Sequence, residues 1–362
     1  MLTDKKTASK PHAYKEAKAL LDWYDRHARQ LPWRAPPHSG RPTPAYRVWL
    51  SEIMLQQTTV ATVGPYFEKF LSLWPTVEDL AAASQDQVLH AWAGLGYYSR
   101  ARNLHKCAQV VVAEHQGIFP ATEDALLTLP GIGPYTAAAI TSIAFDRKAT
   151  VMDGNVERVI ARYFAIKTPL PAAKKELKQL AGELTPNKRP GDYAQAVMDL
   201  GATTCTPRNP SCSRCPLAKN CMALDQDIVE ALPVRLPKKQ KPTRRGTAFW
   251  LTRKDGAIWL RKRPEKGLLA SMMEIPSTEW HEEAVLGEAE MPTRAKWHRA
   301  PGIVRHTFTH FHLELAVVSA KVATTPSLEG IWVQPEALDA YALPTVMKKI
   351  IAHALEGGTP SK

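Results

Sequence analysis

Long apolar runs are missing from this 362-residue chain. No window approaches the roughly 18 uninterrupted apolar residues of a membrane span, which excludes a transmembrane protein. A secretory leader is missing too, because Met1 to Lys15 is polar and lysine-rich with no apolar core. The chain is therefore expected to stay where it is made, in a cytoplasmic, reducing compartment. Cysteine is scarce, at five residues, and the length excludes a disulfide-stapled miniprotein. Four of the five crowd between Cys205 and Cys221, a spacing that in a reducing compartment suggests metal; Cys107 is left over. There is no internal repeat and no glycine-rich nucleotide fingerprint of a redox partner.

Acidic residues are also short, with 47 Lys plus Arg against 35 Asp plus Glu and a net charge of +12. Such a surplus favours a polyanionic partner, nucleic acid or an acidic membrane surface. Residues 1–230 carry 27 basic and 22 acidic groups, residues 231–245 carry six basic and none acidic, and residues 246–362 carry 14 and 13. Prolines and like charges extend the middle stretch, so 231–245 is expected to be a linker, either merely solvated or tracking a phosphate backbone.

Residues 12–225 show apolar recurrences at helical spacing, as in Val48-Trp49-x-x-x-Ile53-Met54 and Leu177-x-x-Leu180-Ala181-x-x-Leu184. This half, 1–230, reads as all-α. In 246–362, Thr247–Thr252 and Ala257–Arg261 flank an Asp255-Gly256 turn signal, Val304 to Val318 reads as a second strand-like region, and Thr345 is expected to cap a closing helix. That half reads as α+β.

Cys205, Cys212, Cys215 and Cys221 follow C-x6-C-x2-C-x5-C, a loop of four thiolates able to enclose a tetrahedral zinc ion or a cubane cluster. Arg208, Arg214 and Lys219 lie among them, so a structural staple presenting cations to phosphate competes with a redox centre. Leu129-Pro-Gly-Ile-Gly-Pro-Tyr-Thr136 leads into an alanine-rich helix, with Pro134 at its first turn and Gly131 and Gly133 able to take positive φ. Outward amides at such a helix start suit a DNA phosphate and give register rather than base specificity; an ordinary tight turn is the alternative. Glu52, among large apolar residues, is a candidate general acid whose carboxyl burial keeps protonated, against an ion-paired or exposed helical glutamate. Asp153 stands at the apparent start of a helix, as an N-cap or as a functional carboxylate. One acid protonating a leaving group and one carboxylate facing an oxocarbenium ion is the logic of glycosidic cleavage.

These residues resemble the helix-hairpin-helix DNA glycosylases with an iron–sulfur loop, and within them the MutY family of adenine DNA glycosylases. The motifs are WLSEIMLQQT at 49–58, GLGYYSRARNLHK at 94–106, LPGIGPYTAAAI at 129–140, VMDGNVERV at 151–159, the four-cysteine loop and RHTFTHFHLEL at 305–315, covering nearly the whole chain. The resemblance implies a six-helix barrel at about 30–150, a cluster module at about 10–29 and 151–225 holding [4Fe–4S], and a Nudix-like domain at 246–362. It implies that Glu52 protonates adenine N7, that Asp153 stabilises the oxocarbenium ion, and that Tyr135 and Asn155 support that charge. A phenol at position 135 cannot form the imine of a Schiff-base lysine, so strand scission is expected to be absent or weak. Gln57, Leu95 and Tyr97 match residues that fill or wedge the duplex around the flipped nucleotide, and Trp33, Arg34 and Gln195 match positions around the adenine pocket.

The resemblance further implies that Phe308, Thr309 and His310 inspect 8-oxoguanine opposite adenine. Threonine stands where serine is common, and no Nudix hydrolase glutamate cluster is visible. His306, His310 and His312 are expected along one face of a strand, a zinc site being the alternative. The expected activity is monofunctional excision of adenine opposite 8-oxoguanine, and more weakly opposite G, by a monomer on double-stranded DNA. The rivals are an endonuclease III-like glycosylase/lyase for oxidised pyrimidines, a non-catalytic cluster-bearing lesion-binding protein, and an electron-transfer protein.

Overall fold

The computed structural model describes residues 10–40, 43–237, 240–285 and 290–357. The chain forms two compact units, one of Met1–Ala82 with Asn103–Pro237 and one of Ala83–Arg102 with Lys238–Lys362.

The first unit is helical. Its α-helices among the described residues are α1 (Lys10–His27), α2 (Ala45–Leu55), α3 (Val60–Leu73), α4 (Val77–Ala82), α7 (Glu123–Leu127), α8 (Pro134–Ile143), α9 (Gly154–Tyr163), α10 (Lys174–Leu184), α11 (Pro190–Thr203) and α12 (Met222–Asp225), with most of α6 (Ser99–His115). The segment 83–102 supplies α5 (Gln85–Trp92) and the start of α6 to the second unit. Helix starts follow local chemistry: Ser84 and Gln87 close a reciprocal capping box before α5, and Pro134 opens α8, where its missing N–H costs no bond.

α11 lies at the centre of this unit. It packs on α1, α8 and α9, and Leu20 and Tyr24, Val159 and Ile160, Leu177 and Leu184, and Val197 and Leu200 share one core. The approach of α11 to α9 needs glycine at 201, where a Cβ would stand 2.6 Å from Asn155 Cβ. The glycine lets α11 pack directly against the first turn of α9.

The second unit is a seven-stranded mixed sheet with a helix. Its strands are β1 (Thr243–Arg253), β2 (Ile258–Lys262), β3 (Met273–Glu274), β4 (His298–Arg299), β5 (Val304–Thr307), β6 (His312–Val322) and β7 (Ile331–Val333), and α13 spans Thr345–Leu355. The order is β3-β2-β1-β6-β4, with β5 also on β6 and β7 on β2. β1 and β6 run parallel from Thr243↔His312 to Arg253↔Val322, and β1 turns back into antiparallel β2 through Asp255-Gly256. Apolar residues of α13, Val346, Met347 and Ile350, share a core with Ala248, Trp250, Leu313 and Leu315.

Several sequence expectations change. β1 begins at Thr243, inside the stretch read as linker, and Leu170 N–H donates to Val234 O at 2.9 Å, so that stretch is tied down at both ends. The region 304–318 is two antiparallel strands, β5 and β6, joined where Phe308 N–H meets Phe311 O at 2.9 Å. That turn interrupts the alternation on which a common face for His306, His310 and His312 rested: His306 is on β5, His310 in the turn and His312 on β6. Thr345 is the first residue of α13 rather than its cap; Pro344 holds the cap position without a side-chain bond.

Candidate active site

α2 turns an unbroken buried face, Val48 to Met54, into the helical unit, and Glu52 is carried inward with it. Only 6% of Glu52 is exposed. Burial pushes its carboxyl up to about 7, against the lowering effect of a Tyr135 hydrogen bond and the Arg34 charge, while the Asp153 charge adds to the rise. Tyr135, one residue into α8 behind Pro134, donates its hydroxyl to Glu52 Oε2 at 2.6 Å, and Met198 Sδ lies 3.7 Å from the Tyr135 hydroxyl oxygen. Burial, and then the negative charges of Glu52 and Asp153, hold the phenol well above its ordinary value. Tyr135 therefore remains a neutral donor.

Asp153 is the N-cap of α9: Oδ1 accepts from the Asn155 and Val156 amides at 2.9 and 2.7 Å, and Oδ2 from Asn155 Nδ2 at 2.8 Å. The capping reading holds, and the cap fixes the carboxylate at the positive end of a helix. Asn155 is fixed in turn, its Oδ1 accepting from Arg158 at 2.9 Å.

Arg34 is anchored by a residue that the sequence reading missed. Asp199 is fully buried and receives Arg34 at 2.7 and 2.8 Å and Arg29 at 2.5 and 3.0 Å. The available signal was its position one helical turn after Gln195, inside the apolar run of α11. Gln195 is 5% exposed, donates to Gly191 O at 3.3 Å and leaves Oε1 buried without a partner. It lines a cleft of about 340 Å³ with Thr43, Ile143 and Arg189. Trp33 is buried edge-on against Phe67, with ring centroids 5.4 Å apart.

The cysteine loop closes on α9. None of the four cysteines is in a disulfide. Burial pushes the Cys215 thiol up to about 12 and raises Cys212 and Cys221, and the charges of neighbouring thiols raise all three further. Arg162, 1% exposed, donates to the carbonyls of Leu232, Thr206 and Pro207 and lies 3.3 Å from Cys205 Sγ. A buried cation held by carbonyls and a thiol suits a thiolate-bound, negatively charged centre. Arg158 bonds Cys205 O at 2.7 Å and Gly201 O at 2.5 Å. Among the described residues no three His, Cys, Asp or Glu side chains converge as ligands of a single ion.

The residues expected to face DNA differ in exposure. Gly131 takes φ +76°, with Asn103 Cβ 2.7 Å from where its own Cβ would stand. Gly133 does not take positive φ: as N-cap of α8 it is extended at −97°, because the turn needs only one left-handed residue. Gln57 and Tyr97 are exposed with φ of 62° and 49°. Leu95 is only 5% exposed, so its side chain packs inward rather than standing out as a wedge. Within the second unit, Thr309 and His310 form the exposed tip of the β5–β6 hairpin, Phe308 stacks between Trp280 and Phe311, and Tyr97 Oη is 2.6 Å from Thr309 Oγ1.

Models of known families match three parts of the chain: the HhH-GPD superfamily of base excision DNA repair proteins over 50–187, the iron–sulfur binding domain of endonuclease III over 205–221, and the NUDIX domain over 247–353. An adenine DNA glycosylase of Homo sapiens is 38% identical over 92% of this chain and 72% of its own length. The chain belongs to the adenine DNA glycosylase family. A solved thermostable thymine-DNA glycosylase is 30% identical over 59% of this chain and 98% of its own, with a TM-score of 0.52. The fold is also that of endonuclease III in a non-covalent DNA complex, at TM-score 0.51 and 21% identity over 61% and 99% of the two chains. As an adenine DNA glycosylase the chain is a hydrolase of the N-glycosidic bond in base excision repair, with DNA as partner and a [4Fe–4S] cluster as cofactor. Cys205, Cys212, Cys215 and Cys221 are the residues suited to hold that cluster, whose negative charge would offset buried Arg162. No helix among the described residues is long and apolar enough to cross a membrane.

Proposed function

We propose that the protein excises adenine mispaired with 8-oxoguanine, and more slowly adenine opposite guanine, without cutting the strand. The observation that carries the chemistry is the buried Glu52 carboxyl, brought to about 7 and facing Tyr135. A carboxyl with that value supplies a proton at neutral pH and can regain it. Glu52 gives its proton to adenine N7, so the C1′–N9 bond breaks with its electron pair leaving on a neutral base. The sugar becomes an oxocarbenium ion, which Asp153, fixed by the α9 cap, meets with negative charge. Water then attacks C1′ and loses its proton, and an abasic site remains. Tyr135 and Asn155 hold the two carboxyls in place, and the base pocket is assigned to Trp33, Gln195 and Arg34, which Asp199 locks. With a phenol at position 135 there is no amine at this motif position to attack C1′.

Recognition of the opposing base is assigned to the hairpin tip, Phe308-Thr309-His310, with Tyr97 bonded to Thr309. Single-turnover cleavage of labelled duplexes with A opposite 8-oxoguanine, G or T, with and without alkali, tests the reading. Alkali-dependent breaks at A, fastest opposite 8-oxoguanine and lost in Glu52→Gln, are expected. Alkali-independent breaks at thymine glycol, or a borohydride-trapped adduct, would replace it with the lyase reading.

A further inference from the structure

Three cations around the β5–β6 hairpin are held in place by neutral groups. Lys241 Nζ donates to Phe308 O at 3.0 Å, the carbonyl that enters the Thr309-His310 tip. The Arg244 guanidinium lies over the Phe311 ring, 4.6 Å from its centroid. Lys349, from α13, donates to Arg305 O at 3.0 Å, next to His306, whose ring packs on Phe308 at 4.6 Å. Among the described residues none of the three is in an ion pair. The one nearby carboxylate that is ion-paired, Glu314, is already shared by Arg245 and Arg305 at 3.3 Å each.

All three side chains are exposed and anchored, while their charges are uncompensated. Ordering a long lysine or arginine costs entropy on binding, and here a carbonyl or a ring has already ordered it. Fixed positive charge around a projecting tip suits a row of phosphates, where contacts set register rather than sequence. We propose that Lys241, Arg244 and Lys349 form a phosphate clamp on the DNA strand carrying the base opposite adenine, seating Thr309 against that base. This rests on the assignment of the hairpin tip to the opposing base.

The test measures affinity against salt for a duplex pairing 8-oxoguanine with 2′-fluoro-deoxyadenosine, which resists excision. Each phosphate contact contributes about 0.9 to the slope of log affinity on log salt. The variant carrying Lys241→Gln, Arg244→Gln and Lys349→Gln should lose about 2 to 3 in slope and bind roughly 10- to 100-fold more weakly near 0.1 M salt. Lys254→Gln, in the turn just after β1, should leave the slope unchanged, and the charge-conserving Arg244→Lys should retain most of it. Neutral methylphosphonates beside 8-oxoguanine should weaken the unsubstituted protein and not the triple variant. An unchanged slope in the triple variant overturns the clamp whether or not adenine is excised. So does sensitivity confined to methylphosphonates on the adenine strand.

Discussion

Glu52, the proposed general acid, shows what a buried carboxyl costs in stability. Its ordinary value of 4.5 rises to about 7 in the fold because burial disfavours the carboxylate. Below pH 4.5 both folded and unfolded chains hold the proton and the group costs nothing. Between about 4.5 and 7 the unfolded chain releases it first, so stability falls as pH rises and levels off above the folded value. Glu52→Gln should therefore unfold at higher denaturant than the parent at pH 8 and at the same point near pH 4, while excising adenine about 10²- to 10⁴-fold more slowly. The sign for Tyr135→Phe also follows: the lost hydrogen bond had lowered Glu52, so the alkaline limb of the excision rate should move to higher pH. A limb that stays or moves down would remove Tyr135 from control of that proton. The Glu52 position was legible because a carboxylate interrupts an apolar run in a motif, whereas Asp199, inside the buried run of α11, was hidden because its arginines are 165 and 170 residues away.

At the scale of elements, α9 and α11 set the geometry of the second carboxylate. Gly201 lets the helices close, Arg158 ties Asn155 to Gly201 O and Cys205 O, and Asn155 holds Asp153. Gly201→Ala should push Asn155 aside, lowering both melting temperature and excision rate; unchanged single-turnover kinetics would show that α9 absorbs the methyl. Arg158→Gln leaves Cys205 O and Gly201 O without that donor, and should slow excision while making the iron easier to lose, read together by rate and by absorbance of the bound iron. Helices and motif order were legible because local spacing and capping write them. The β5–β6 turn was not, since Phe308-Thr309-His310-Phe311 carries no glycine or proline and keeps the alternation of its strands. Gly133 misled for the opposite reason: glycine permits positive φ without requiring it.

At the scale of the whole molecule, proline and charge marked a division near residue 237, but the second unit also takes in 83–102. That segment is bound by long-range contacts no local pattern announces: Arg102 to Ala270 O at 2.7 Å, Asp86 to Lys262 at 2.9 Å, and Tyr97 to Thr309 at 2.6 Å. Yet 83–102 is chain-continuous with α4 on one side and the rest of α6 on the other. Truncation after Pro237 should therefore do more than remove the hairpin tip to which reading of the opposing base is assigned. It strips partners from 83–102, freeing the exposed Tyr97 and the Arg102 guanidinium, and should lower the melting temperature of the remaining helical unit and raise amide exchange across α5 and the start of α6. Exchange that rises only at the new C-terminus would mean that α5 does not need those partners. The C-terminal residues would then act on DNA without supporting that segment.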